Sequence, residues 1–360
     1  MLEYKEYSIE EIKAKWKELF NKKNTFNLYI DVPFCISICK FCNLGKIASR
    51  VNSKEYKEYF DDILPKFFEQ QSDILRLKIF DTLYLGGGTS GMMDTHTMRK
   101  VFDLIPNIDK IESKKFEANP TILSKEKLEI LSEYGFNQIS MGVQSFNNDL
   151  IFKNNRIPVK QEKLRSIIDF CREHGISTNC DLLTFTEQSA YAGETVDVKA
   201  SLKNTANDIK IMIENIKPDT ITIYPKWEMF NYTDSSGFLE DKSEEDFKLR
   251  YNINKTILKI IRKHPEYKIS SDKIELDLRN ISREDAVNNI VLKLKKSKNI
   301  IEDRYDSSSY PFNKGNKQNV VGLGGYGGKK GRTPYSYIGN NFYYINVVEN
   351  GEIKYLGIES

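Results

Sequence analysis

Three cysteines within eight residues, Cys35, Cys39 and Cys42, carry the clearest chemical signal in the chain. Their spacing is C-x3-C-x2-C, so a single loop can wrap all three thiolates around one metal centre. A 4Fe–4S cluster normally takes four cysteine thiolates. Three would leave one iron open to bind a substrate. A zinc site instead asks for a fourth Cys or His at compact spacing. The only histidines are His96, His174 and His264, none of them near the run. We therefore expect Cys35, Cys39 and Cys42 to hold a 4Fe–4S cluster and to form the catalytic centre. Cys171 and Cys180 fall on a predicted helix and a predicted strand, where a free thiol usually serves as a small buried hydrophobe.

Other residues could serve a polar ligand. Gly86-Gly87-Gly88-Thr89 ends an apolar run, and residues without Cβ let a ligand approach backbone amides and carbonyls closely. Glu117, before Ala118-Asn119-Pro120, also follows an apolar run, as does Gln144 after Gln138-Ile-Ser-Met-Gly-Val. Arg156, in Asn154-Asn155-Arg156, offers a planar fork for a carboxylate. Asp181 sits inside an apolar run, where a charge is costly unless it is partnered.

These residues share one kind of address. Short β-branched and aromatic runs at residues 27–32, 81–85, 115–118, 138–143, 177–183 and 220–224 alternate with amphipathic stretches at 53–71, 124–134, 160–174 and 202–216. Alternation of this kind predicts a parallel sheet with helices packed outside it. Six units give an α/β fold, a partial (β/α)6 barrel open on one side. Chemistry in such barrels sits at the C-terminal ends of the strands, which is where each candidate falls. Residues 1–25 read as an N-terminal helical extension, 26–230 as the barrel, and 231–360 as a smaller α+β extension covering the active site. Within that last part, 225–300 is lysine-rich and reads as helical with a short strand near Lys268, and 303–319 reads as a loop. A glycine cluster, 321–328, comes next, and a hairpin turns at Asn350-Gly351.

Bulk composition sets outer bounds. The chain has 360 residues, 39% hydrophobic and 29% charged, with a net charge of +3. That length can bury a large core, and the near-neutral charge gives no electrostatic case for a nucleic-acid partner. The charged, amphipathic start lacks the apolar centre of a signal peptide, and no segment is long enough for a membrane span. The expectation is a cytoplasmic protein with reduced or metal-bound cysteines.

The ordered motifs LYIDVPFCISICKFCNLGKIASR, TLYLGGGTSG, FEANP, GFNQISMGVQSF, KNNR and STNCDLL resemble the oxygen-independent coproporphyrinogen III oxidases and their relatives in the radical S-adenosylmethionine (SAM) superfamily. The likeness spans roughly residues 26–230, with a weaker echo at 320–345. It implies that SAM is bound at the cluster and cleaved to a 5′-deoxyadenosyl radical, with a flavodoxin or ferredoxin as electron donor. It implies cofactor-binding roles for Gly87, Gly88 and Thr89 at the amino group, for Glu117 and Gln144 at the polar groups, and for Arg156 at the carboxylate with Tyr29 beside it. Asp181 would meet the ribose, and Phe41 and Asn43 the adenine. Gly328, in the later glycine segment, and Trp227, as a stacking residue, are candidates for a second SAM pocket above the barrel mouth.

Departures from the pattern steer the finer reading. Asp31 stands where the family usually has a histidine, and Leu44-Gly45 where the coproporphyrinogen oxidases carry a further cysteine. Thr184-Phe185-Thr186 replaces a Gly-Leu-Pro and is followed by an insertion. The stretch from Ser309 lacks the histidine of the haem chaperones. The first expectation is thus a class C methyltransferase or cyclopropanase using two SAM molecules on a small-molecule or peptide substrate. A coproporphyrinogen oxidase-type decarboxylase and a non-catalytic haem-chaperone-like protein are the alternatives.

Overall fold

The computed structural model describes residues 5–20, 26–42, 47–184, 198–225, 252, 255–270, 292–296, 319–324, 335–338, 342–349 and 352–359. The strands in chain order are β1 (Lys5–Tyr7), β2 (Phe26–Val32), β3 (Phe34–Cys35), β4 (Ile47–Ala48), β5 (Thr82–Gly87), β6 (Ser113–Ala118), β7 (Gln138–Gln144), β8 (Ser177–Thr184) and β9 (Thr220–Pro225). They continue with β10 (Tyr267–Ser270), β11 (Leu292–Lys296), β12 (Asn319–Leu323), β13 (Tyr335–Ile338), β14 (Phe342–Glu349) and β15 (Glu352–Glu359). The helices are α1 (Ile9–Phe20), α2 (Lys54–Lys57), α3 (Leu64–Gln70), α4 (Ser72–Leu77), α5 (Thr95–Asp103), α6 (Lys125–Glu133), α7 (Asn148–Lys153), α8 (Gln161–Glu173) and α9 (Val198–Lys210). A wider-wound turn, Glu58–Ile63, joins α2 to α3, and another, Ile211–Ile216, extends α9.

Strands β2, β5, β6, β7, β8 and β9 lie side by side in that order, all parallel. These are the six barrel strands that the alternation predicts. Successive side chains point to opposite faces of a strand, and the sequence sorts them by chemistry. Leu28, Ile30, Leu83, Leu85, Phe116, Ile139, Met141, Leu182, Ile221 and Ile223 join the buried apolar layer under the helices. The alternate positions are mostly polar and meet across the strands. Thr82 donates to Asn27, Asn179 to Ser140 and Asp181, and Thr222 to Asn179. The interior is therefore hydrogen-bonded rather than apolar, as a face that serves a polar ligand requires. Cys171 and Cys180 belong to the apolar layer. Burial pushes the Cys171 thiol up to about 12 and raises Cys180 well above its ordinary value, which keeps both as inert thiols.

The sheet does not end with these six. β12 lies parallel to β2, with Val320 beside Asn27 and Gly322 beside Tyr29. The first part of the expected glycine loop is thus a wall strand. Its Val-Val-Gly-Leu sequence is too short to announce a strand, and the pairing that stabilises it lies at the other end of the chain. β11 also corrects the sequence reading. Its alternating Leu-Lys-Leu-Lys-Lys pairs antiparallel with β9 and β10, inside a stretch expected to be helical. The hairpin strands are where they were expected: β14 and β15 pair antiparallel, with Glu349 opposite Glu352. β1 pairs with β15, and Trp16 of α1 donates a buried 3.0 Å hydrogen bond to the Tyr344 hydroxyl. No helix among the described residues is long and apolar enough to cross a membrane.

Candidate active site

The cysteine loop leaves the C-terminal end of β2 and is tied at both feet. β3 pairs with β4, Ile47 N–H donates to Pro33 O (3.0 Å), and Ser49 N–H donates to Cys35 O (3.0 Å). Its crown is held by the segment after α7. Lys40 N–H donates to Asn154 O (3.1 Å), the Asn155 amide to Ile38 O (2.8 Å), and the Ser37 hydroxyl to Asn155 O (2.9 Å). Asn155 adopts a left-handed backbone (φ 57°), which asparagine tolerates better than most residues. The two asparagines before Arg156 thus hold the loop in place, a role the motif alone does not reveal.

Cys35 and Cys39 are buried and Cys42 is half-buried. Cys35 Sγ lies 3.4 Å from the Thr89 hydroxyl, and Cys39 Sγ lies 3.5 Å from Arg156 Nη1. Cys42 N–H donates to Cys39 O (3.0 Å), and both residues pack with Phe41, Leu150, Ile151 and Leu183. Among the described residues no three His, Cys, Asp or Glu side chains converge on a single-ion site. The donor set nevertheless fits an iron–sulfur centre by its chemistry. It offers three soft sulfur ligands on one short loop, with a guanidinium beside one of them.

Several of the remaining candidates touch one another or a shared neighbour. Tyr29 stacks on Tyr84 with ring centroids 5.5 Å apart, and the Tyr84 hydroxyl donates to Glu117. Arg156 donates to Gly142 O, and a Cβ at Gly142 would meet both Gln144 and Arg156, so those three sites are adjacent. Gln144 itself has φ 74° at a register shift that ends β7, a strained backbone of the kind that gathers at functional sites. Asp181 accepts from Asn179 (2.7 Å) beside Gly142 in the β7–β8 register. Asn43, Trp227 and Gly328 lie outside the described residues.

Gly87 and Gly88 also lie tight against the protein's own chain. A Cβ at Gly87 (φ +102°) would meet the Asp31 carboxylate, and one at Gly88 would stand 2.5 Å from Phe34 O. The close approach they permit is to the protein's own chain at the root of the cysteine loop. The sequence reading also passed over a buried carboxylate, Asp208 on α9, which is 2% exposed and bonded to the turn after Gln144. Burial raises its carboxyl to about 6 despite hydrogen bonds from Ser145 and Phe146. No local pattern marks it.

Comparison with known proteins agrees with this arrangement. Residues 29–188 match the radical SAM superfamily. The heme chaperone HemW of Bacillus subtilis (strain 168) is 30% identical over 207 residues, covering 56% of this chain and 52% of that one. HemW of Buchnera aphidicola subsp. Schizaphis graminum is 26% identical over 197 residues, covering 54% and 52%. The oxygen-independent coproporphyrinogen III oxidase of Escherichia coli (strain K12) is 28% identical over 161 residues, covering 44% and 35%. The chain thus spans about half or less of the length of these curated relatives. The solved coproporphyrinogen III oxidase (HemN) from Escherichia coli has the same fold, with a TM-score of 0.67 at 18% identity over 99% of this chain and 77% of that one. With the cysteine loop after the first strand of a parallel sheet and these relatives beside it, residues 29–188 read as a radical SAM domain, of a superfamily whose members use a 4Fe–4S cluster and SAM, and the chain is similar to proteins of the HemW and HemN kind.

Proposed function

We propose that this chain is an enzyme that cleaves SAM reductively and directs the resulting 5′-deoxyadenosyl radical at a bound substrate. The observation that carries the reading is the adjacency of the cysteine loop to Arg156, which also touches Gly142 beside Gln144. Cys35, Cys39 and Cys42 would hold the cluster, which supplies the electron that breaks the S–C5′ bond. The residues around it do the binding. Arg156 has no carboxylate partner among the described residues, which suits it to a ligand carboxylate with Tyr29 alongside. Glu117, fixed by Tyr84, takes the amino group next to Gly87, Gly88 and Thr89. Asp181 takes the ribose, Gln144 completes the polar mouth, and Phe41 with Asn43 takes the adenine.

Beyond SAM cleavage, our reading is methyl or methylene transfer to a small-molecule or peptide substrate in the cytoplasm, with a flavodoxin or ferredoxin as electron donor. A second SAM would sit near Trp227 and Gly328. The departures at Asp31 and Leu44-Gly45 favour this over porphyrinogen decarboxylation, and the one at Ser309 favours it over a haem chaperone. A second reading, haem handling without turnover, is favoured by the heme chaperone relatives. Anaerobic equilibrium dialysis on the reconstituted protein separates them. Two SAM per cluster, with S-adenosylhomocysteine and 5′-deoxyadenosine formed, supports transfer. One SAM, no S-adenosylhomocysteine and a stoichiometric haem spectrum would overturn transfer in favour of haem handling.

A further inference from the structure

Helix α9 stands apart from the cysteine loop, yet hydrogen bonds connect the two without a break. Asn204 and Asp208 lie one turn apart on α9. Asp208 accepts from the Ser145 hydroxyl at Oδ2 (2.5 Å) and from Phe146 N–H at Oδ1 (2.9 Å). Ser145 Oγ in turn accepts from Asn147 N–H (3.0 Å), and the Asn147 side-chain amide donates to Asn204 Oδ1 (3.0 Å). Asn147 caps α7 by accepting from Asp149 N–H and Leu150 N–H. α7 then ends in Asn154 and Asn155, which hold the cysteine loop, and in Arg156, which reaches Cys39.

We propose that Asp208, with Asn204, is a positioning residue that fixes the turn from Gln144 to Asn147 and, through α7, the cysteine loop and Arg156. The proposal rests on the reading of the mouth as a SAM site. The acceptor geometry explains why this position carries a carboxylate. Only a group with two acceptor oxygens can take the Ser145 hydroxyl and the Phe146 amide together while leaving Ser145 Oγ free to accept from Asn147. An asparagine would have to donate to Ser145 and reverse that bond. A buried carboxylate is otherwise an expensive choice, and among the described residues only the hydrogen bonds from Ser145 and Phe146 oppose the effect of its burial.

The test compares wild type, Asp208→Ala, Asp208→Asn and Ser145→Ala as reconstituted holoproteins. SAM affinity is measured by equilibrium dialysis, and amide hydrogen exchange is followed by peptide. In Asp208→Ala we expect SAM binding to weaken at least tenfold. Exchange should accelerate in residues 36–42 and 145–156 while peptides from β2, β5 and β6 stay unchanged. Asp208→Asn, which keeps one acceptor for Phe146, should fall between. Ser145→Ala should reproduce the local pattern, and it carries the test if Asp208→Ala does not fold. SAM affinity within twofold of wild type in the folded variants, or acceleration spread uniformly over the sheet, would overturn the proposal. A wild-type holoprotein that binds no SAM would instead overturn the reading of the site.

Discussion

Gly88→Ala is the sharpest test of how the cysteine loop is held. A Cβ on Gly88 would stand 2.5 Å from Phe34 O, 2.8 Å from Phe34 C and 2.9 Å from Phe34 N. Ordinary contact begins at 3.4 Å, so the shortfall is about 0.9 Å, and it falls on backbone that no rotamer change can move. Gly88 cannot retreat easily either, because its N–H donates to Val32 O at 2.7 Å. The strain must therefore displace Phe34, and Cys35 is the next residue. Overpacking of this kind costs about 1–3 kcal/mol, and a shift of about 1 Å at a reacting centre can cost on the order of 100-fold in rate. We expect a folded protein with a lowered melting temperature, less iron retained per chain after anaerobic reconstitution, and weakened SAM binding. Gly175→Ala is the control. Its φ is +69° with nothing within 4 Å, so it pays only the left-handed backbone cost of about 1 kcal/mol and should leave iron and SAM binding intact. Wild-type iron content and affinity in Gly88→Ala, or equal damage from Gly175→Ala, would refute the reasoning.

Replacing Cys35, Cys39 or Cys42 by Ala should abolish 5′-deoxyadenosine formation, and a triple variant that still binds iron and forms that product would remove the loop from the chemistry. Arg156→Ala should weaken SAM binding by about 2–5 kcal/mol, the usual loss when one member of a buried charge pair is removed; Arg156→Lys should rescue only partly, having no planar fork. Trp16→Phe removes the donor to Tyr344 and should cost about 1–2 kcal/mol in urea unfolding without changing SAM affinity. For Asp208 the folded-state pKa, about 6, lies above the ordinary value of 3.8, so folding favours the protonated form. That contribution is complete below about pH 4 and is lost as pH rises to about 6. It amounts to at most about 3 kcal/mol, and unfolding of Asp208→Asn at pH 4.5 and 7 should show a flatter dependence than wild type.

The barrel strands were legible because each combines an apolar face with motif residues at one end, and because the pattern repeats through the first two thirds of the chain. Asn350-Gly351 announced its hairpin for the same local reason. β12 and β11 were not legible. The first is a five-residue strand containing a glycine, and the second hides its alternation among lysines. Within the candidate site, local signals singled out Cys35, Glu117, Gln144, Arg156 and Asp181 as candidates. They did not show that Gly87 and Gly88 also make room for the protein's own chain, because the neighbours that fill that space arrive from another part of the sequence. Asp208 lay beyond such signals altogether, since an acid on a charged helix looks solvated until the packing is known.

The pairing of β12 with β2 bears on how the chain folds as it is made. β9 ends at Pro225 and β12 begins at Asn319, so roughly 5–20 s of synthesis separates the last barrel strand from the one that covers the edge of β2. Until then β2, Phe-Asn-Leu-Tyr-Ile-Asp-Val, has an open edge of the kind that recruits strands from other chains. This long-range closure raises contact order and slows the final step. Its cost falls on the nascent chain: aggregation during expression should track exposure of that one edge rather than the stability of the finished protein.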